Sequence, residues 1–236
     1  METAMKVFSL LPWFDWGAVL AFFSAWAGYA WFARRRALTH PSILATTNRI
    51  RRAWMLQATY REVRVIDGVV IQNLSTSPSF FASTTILIIG GLLAVLGTTE
   101  KASGLVREIP FAALTSALVF DLKIVLLLVI FVYAFFRFTW SMRQYTFGAL
   151  LVAAAPEVSV FAEQGLSSRD GFADRAGRVV GMAAETFNDG LRAYYLAFAA
   201  VGWFFSPLVF MLATAGVITI LYQREFRSDV LQVLRS

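Results

Sequence analysis

The 236-residue sequence contains no cysteine and one histidine. That removes disulfide frameworks, thiolate metal sites and cysteine nucleophiles, and leaves zinc clusters without ligands. A four-helix membrane bundle carrying b-type haem normally needs histidine ligands in the membrane. His40 stands alone beside Pro41, after a run of arginines, so haem is rejected. Acids are scarce too: fifteen Asp and Glu against twenty-one Lys and Arg, a formal charge of +6. There is no phosphate-binding loop, no glycine-rich dinucleotide turn, no His-Glu-x-x-His and no Gly-x-Ser-x-Gly. Glu157 and Glu163 are isolated carboxylates. No catalytic residue, cofactor or metal ligand is assigned, and the chain is read as a non-enzyme.

What the sequence does hold is apolar length. It is 58% hydrophobic with a mean hydropathy of +0.64, above the 45–50% apolar content usual for soluble domains. The fold class expected is all-α: a polytopic membrane protein of four transmembrane helices with cytoplasmic helical extensions. The spans are placed at about residues 14–33, 79–98, 122–142 and 191–222, each long enough to cross the roughly 30 Å core of a bilayer. Helical segments of the cytoplasmic side are placed at about 41–74 and 143–190, and an outer surface segment, with a short helix at Pro110, at 99–120.

The central stretch runs from Asn73 to Leu93. Ser75, Thr76, Ser77 and Pro78 have the chemistry of a helix start, so a helix is expected to begin there after a separate short one over Val69–Leu74. Gly90 and Gly91, with the hydroxyls of Ser83, Thr84 and Thr85, suit close helix–helix contact where no water drives association. His40-Pro41-Ser42 reads as another helix start, with Ile43, Ile50, Trp54 and Ala58 on one stripe. The third span continues as one helix from Asp121 to Ala155, where Pro156 breaks it. Glu157 to Asn188, with four glycines, reads as short helices joined by turns. Pro207 is expected to kink the fourth span. Ala25-Trp26-Ala27 has the form of a cleavage site, but the preceding segment has little positive charge and Arg34-Arg35-Arg36 follows, so an uncleaved span is expected.

Basic residues are retained in the cytoplasm. Residues 34–79 hold eight bases and Arg137 to Arg192 six, against seven elsewhere, which puts both termini outside. The weak point is a basic tail, Arg224, Arg227 and Arg235, on the outer side.

Two constellations carry the functional expectation. Glu185, Asn188, Asp189 and Arg192 follow i, i+3, i+4, i+7 spacing and enter the membrane at the level of Arg137 and Arg143. Charges at that depth pair or face water. Together with Ser83, Thr84 and Thr85 they are either a polar pore layer or an interhelical lock. Arg34, Arg35, Arg36, Arg49, Arg51 and Arg52, with Ser75 and Ser77, are candidate contacts for an anion or for anionic lipid headgroups. The arginines adjoin the spans, so lipid rather than nucleic acid is the expected anionic partner.

Phe80-Phe-Ala-Ser-Thr-Thr followed by Gly90-Gly91, Arg137-Phe-Thr-Trp140 with Arg143, and Phe187-Asn-Asp-Gly-Leu-Arg-Ala-Tyr-Tyr195 with Pro207 together resemble the uncharacterised membrane family called domain of unknown function 599. The resemblance covers Trp16 to about Phe226. It implies a multi-pass protein of the bacterial inner membrane with four predicted spans and no assigned activity.

Two functions are carried forward. The first is a homo-oligomeric channel or small transporter using the hydroxyl face and the charged layer. The second is a non-catalytic scaffold or accessory subunit docked onto a larger membrane complex. The reading leans to the channel, because buried charges and hydroxyls at one level suit a permeation path.

Overall fold

The computed structural model describes residues 11–99 and 116–235. Most of the segment expected at the outer surface, including the short helix at Pro110, lies outside the described residues. Among the described residues there is no strand. The helices are α1 (Trp13–Thr39), α2 (Ile43–Ala58), α3 (Val65–Gly97), α4 (Ala117–Ala153), α5 (Val158–Gln164), α6 (Leu166–Val201), α7 (Pro207–Phe226) and α8 (Asp229–Val233). Four are long and apolar enough to cross a membrane: α1, α3, α4 and the stretch Pro207–Val233 that begins with α7. The all-α expectation holds.

Several boundaries follow from local chemistry. Pro41 stops α1, and Ser42 caps α2, its Oγ accepting from the Ala45 N–H at 3.1 Å. This is the start expected at His40-Pro41-Ser42. Ile50 is exposed, however, and the buried positions of α2 are Thr46, Met55 and Ala58. Pro156 ends the 37-residue α4 as expected, and Gly165, at φ +79°, takes the left-handed conformation that separates α5 from α6.

Three expectations do not hold. First, α3 has no start at Ser75–Pro78. One helix runs from Val65 to Gly97 with Pro78 inside it. Thr76 and Thr84 turn their hydroxyls back to the carbonyls of Gln72 (3.3 Å) and Phe80 (2.9 Å), so these hydroxyls bond within the helix rather than cap its start. Second, Glu157 to Asn188 is mostly one helix rather than short helices with turns, because α6 passes through Gly171, Gly177, Gly181 and Gly190 unbroken. Third, the helix expected over residues 191–222 is two helices. A 3-10 turn at Gly202–Phe204 ends α6, the Ser206 Oγ accepts from the Val209 N–H at 3.1 Å, and Pro207 opens α7 at the position where its missing N–H costs nothing.

The chain divides into two compact units. The described part of the first comprises residues 11–36, 85–99, 116–133 and 192–224. Its contacts set the helix directions. Asp15 accepts from Trp203 Nε1 at 2.7 Å, the Phe22 ring lies 5.0 Å from Phe210, and Phe32 lies 6.3 Å from Tyr222, so α1 and α7 run the same way. The end of α6 runs against both. Arg192 sits over the Tyr29 ring, and Arg224 Nη1 reaches the Tyr195 hydroxyl at 2.6 Å. In one straight helix Tyr195 and Arg224 would be roughly 40 Å apart at 1.5 Å per residue. The chain therefore reverses at Gly202, where a Cβ would meet Phe210 Cα at 3.4 Å.

The second unit comprises residues 37–84, 134–191 and 225–235. It has an apolar core of its own, built on Met55, Ile71, Tyr145, Phe161, Phe172 and Val180. The tail belongs here. Glu225 accepts from the Leu44 N–H in the first turn of α2 at 3.2 Å, and α8 packs on α2.

Candidate functional site: a polar helical unit around arginine

Glycine sets how closely the helices of the second unit approach. A Cβ on Gly177 would stand 2.9 Å from Arg52 Cα, and one on Gly181 would stand 2.9 Å from Asn48 Oδ1. So α2 crosses α6 over a Gly-x-x-x-Gly face, its backbone against Gly177 and the Asn48 carboxamide against Gly181. Gly190 likewise leaves room for the Phe138 ring, whose Cε1 would lie 2.5 Å from an added Cβ. That ring belongs to a cluster with Phe81 and Phe187.

Arginines close the crossing. Arg52 bonds to Asp174 and, at 3.3 Å, to Asp170, one turn apart on α6. The Asp174 hydrogen bond, then its charge, holds the Arg52 guanidinium above its ordinary range. Arg51 points the other way, donating to Thr47 Oγ1 at 2.9 Å and Asn48 Oδ1 at 2.7 Å. Burial pushes it down from its ordinary value, with Tyr145 partly opposing.

Two more arginines secure helix ends. Arg169 is buried and donates to the Thr59 carbonyl at 2.6 Å and the Val158 carbonyl at 3.3 Å, stacked over Tyr60 and Phe161. Arg64 donates to the carbonyls of Ala58 (2.9 Å), Ala155 (3.1 Å) and Pro156 (2.7 Å). Both place a cation on the free carbonyls that end α2, and Arg64 does the same just past the end of α4. Asp67 is wholly buried, and its Oδ1 accepts from Trp54 Nε1 at 2.7 Å and from Arg61.

The charged layer expected from the sequence comes together only in part. Arg137 donates to Asp189, the acid 5% and the base 27% exposed. Arg143 is exposed on another side of α4, since six residues turn a helix through one and two-thirds revolutions. Glu185 lines a groove between α2 and α6. Arg192 belongs to the first unit, over Tyr29 at 5.7 Å.

The hydroxyl face also divides. Ser83 is exposed, Thr84 bonds its own helix, and Thr85 is wholly buried with its Oγ1 2.6 Å from the Tyr194 hydroxyl. Three consecutive residues on a helix point 100° apart, so they share no lining. Ser75 and Ser77 lie mid-helix and offer no free N-terminus to an anion. Of the arginines nearest the apolar run, Arg34 and Arg35 are exposed, Arg35 over Trp31 at 4.7 Å, while Arg36 packs over Phe32 and Tyr222. Arg49 is exposed on the groove between α2 and α6.

A model for the family described as protein of unknown function, DUF599, matches residues 17–230. The chain belongs to this family. No curated protein and no solved structure matches it. The sequence pattern that resembled the family reappears in this DUF599 chain as packing: Phe81, Phe138 and Phe187 in one ring cluster, Arg137 on Asp189, and Pro207 at a helix start. Sequence reasoning missed Arg64, Asp67, Arg169 and Arg178. The Gly177–Gly181 spacing, with Asp170 and Asp174 on the preceding turns, was the legible signal for the α2 crossing.

Proposed function

We propose that this chain is a multi-pass protein of the bacterial inner membrane that acts by docking, as a non-catalytic scaffold or accessory subunit of a larger membrane assembly. The observation that carries this reading is where polar groups are used. Thr85 and Asp189, buried members of the expected pore lining, are engaged by Tyr194 and Arg137 inside the chain. The α3 surface, by contrast, is open. Gly90, Gly91 and Gly97 have nothing within 4 Å of an added Cβ, and Ser83 and Ala94 are exposed beside them. Small residues on an uncovered apolar helix favour packing against another membrane helix.

The reversal between α6 and α7 supports a topology in which the end of α6 crosses outward and α7 crosses back, five crossings with α1, α3 and α4, so that the N-terminus is outside and the tail inside. All bases except Lys6, Lys101, Arg107 and Lys123 then fall on the inner side, a stronger bias than a single helix over 191–222 would allow. The arginines of the inner side then meet the anionic leaflet.

Extraction in native-lipid nanodiscs, with particle mass, symmetry and co-extracted chains determined, tests the reading. A defined partner that accompanies the wild type and is lost from Gly91→Leu is the expected result. A closed ring of this chain alone, with ion flux abolished by Ser83→Leu, would replace docking by the channel. A monomer with no companion would refute both.

A further inference from the structure

The groove where α2 crosses α6 has a volume of about 360 Å³ and is lined by Asn48, Arg49, Arg52, Asp174, Arg178 and Glu185 among others. Its floor is held firmly. Gly177 brings the backbones together, Arg52 is tied to Asp170 and Asp174, and the Asn48 carboxamide oxygen is taken by Arg51, which leaves its nitrogen as a donor. Its walls differ from its floor. Arg49 from α2 and Arg178 from α6 are exposed, and among the described residues neither forms an ion pair.

We propose that this groove binds a phosphate ester, clamped between the Arg49 and Arg178 guanidiniums over the Asn48 amide. Two guanidiniums facing one opening from different helices suit a tetrahedral anion, because each offers a planar fork of donors to a pair of phosphate oxygens. The cavity is larger than a bare phosphate, leaving space for the esterified group. Asp174 does not oppose the anion strongly, since Arg52 already occupies it. The ester is either a lipid headgroup or a soluble phosphate, and its chemistry at the groove is the same. The inference stands on this crossing alone and is independent of docking through α3.

The test uses the full chain in nanodiscs. Two probes are compared: glycerol 3-phosphate added to phosphatidylcholine discs, and phosphatidylglycerol built into the discs, each read by native mass spectrometry and by protection of α2 and α6 amides from exchange. Arg49→Gln and Arg178→Gln should each weaken binding about tenfold, the size of one charge-assisted hydrogen bond. Met182→Trp, which fills the groove without touching charge, should weaken it as much. Arg175→Gln, an exposed α6 arginine off the groove, should change nothing. Binding of glycerol 3-phosphate identifies a soluble ester, and binding of phosphatidylglycerol alone identifies a headgroup. No binding of either probe, or equal loss in Arg175→Gln, overturns the site.

Discussion

The hydroxyls of Thr85 and Tyr194 stand 2.6 Å apart, joining α3 to the last third of α6 within the first unit. Thr85 is wholly buried, so the bond belongs to the helix interface and not to a wet lining. Thr85→Val and Tyr194→Phe should each lower the free energy of unfolding by about 1 kcal/mol, and the double variant by little more than either. Unfolding in mixed detergent micelles checks this. Fully additive losses would mean that the two hydroxyls do not share a bond.

Arg137 and Asp189 should behave as a lock. Asp189→Ala strands the partly buried Arg137 guanidinium and should cost roughly 3 kcal/mol, whereas replacing both by apolar residues, Arg137→Met with Asp189→Leu, should recover most of that loss. The same unfolding assay decides it. A double variant as unstable as the single one would show that the charges hold something beyond each other.

Glycines of the chain should separate into two classes. Gly177→Ala must displace Arg52 backbone and should destabilise by about 1–3 kcal/mol. Gly90→Ala meets open space and should stabilise the isolated chain by about 0.5–1 kcal/mol, through helix propensity alone. Melting temperatures of the purified variants would rank them. The opposite order would disprove the close crossing of α2 over α6.

The absence of cysteine makes topology directly measurable. Phe205→Cys, in the turn between α6 and α7, should be labelled by an impermeant maleimide on intact spheroplasts. Val230→Cys, in the tail, should be labelled only after the membrane is opened. Labelling of Val230→Cys from outside, with Phe205→Cys protected, would restore a single crossing over 191–222.

Arg169 should be worth more than an exposed arginine. Arg169→Met leaves the Thr59 carbonyl and hydroxyl at the end of α2 without their donor and should cost about 2–3 kcal/mol, with Arg175→Met near zero. Amide exchange at the end of α2 would localise the loss. Equal effects would show that the buried guanidinium is dispensable.

Helical class and the first three long apolar segments were determined by sequence alone, because hydropathy and length act locally and need no neighbour. The cap at Ser42 and the break at Pro156 were local as well. What the sequence left undecided was the meaning of identical local signals. Ser77-Pro78 and Ser206-Pro207 are the same dipeptide, yet the first lies inside α3 and the second opens α7. The difference rests on Gly202, whose missing side chain admits Val209 and Phe210 and lets α7 fold back. Likewise Gly177 and Gly181 resembled turns but proved to be contact points, since only the neighbour that arrives there shows why a Cβ is excluded. Tertiary packing decided which hydroxyls and charges were spent inside the chain, and it moved the basic tail into the unit that holds α2. Those outcomes depend on which distant helix arrives beside each residue, and hydrophobic periodicity carries no information about that.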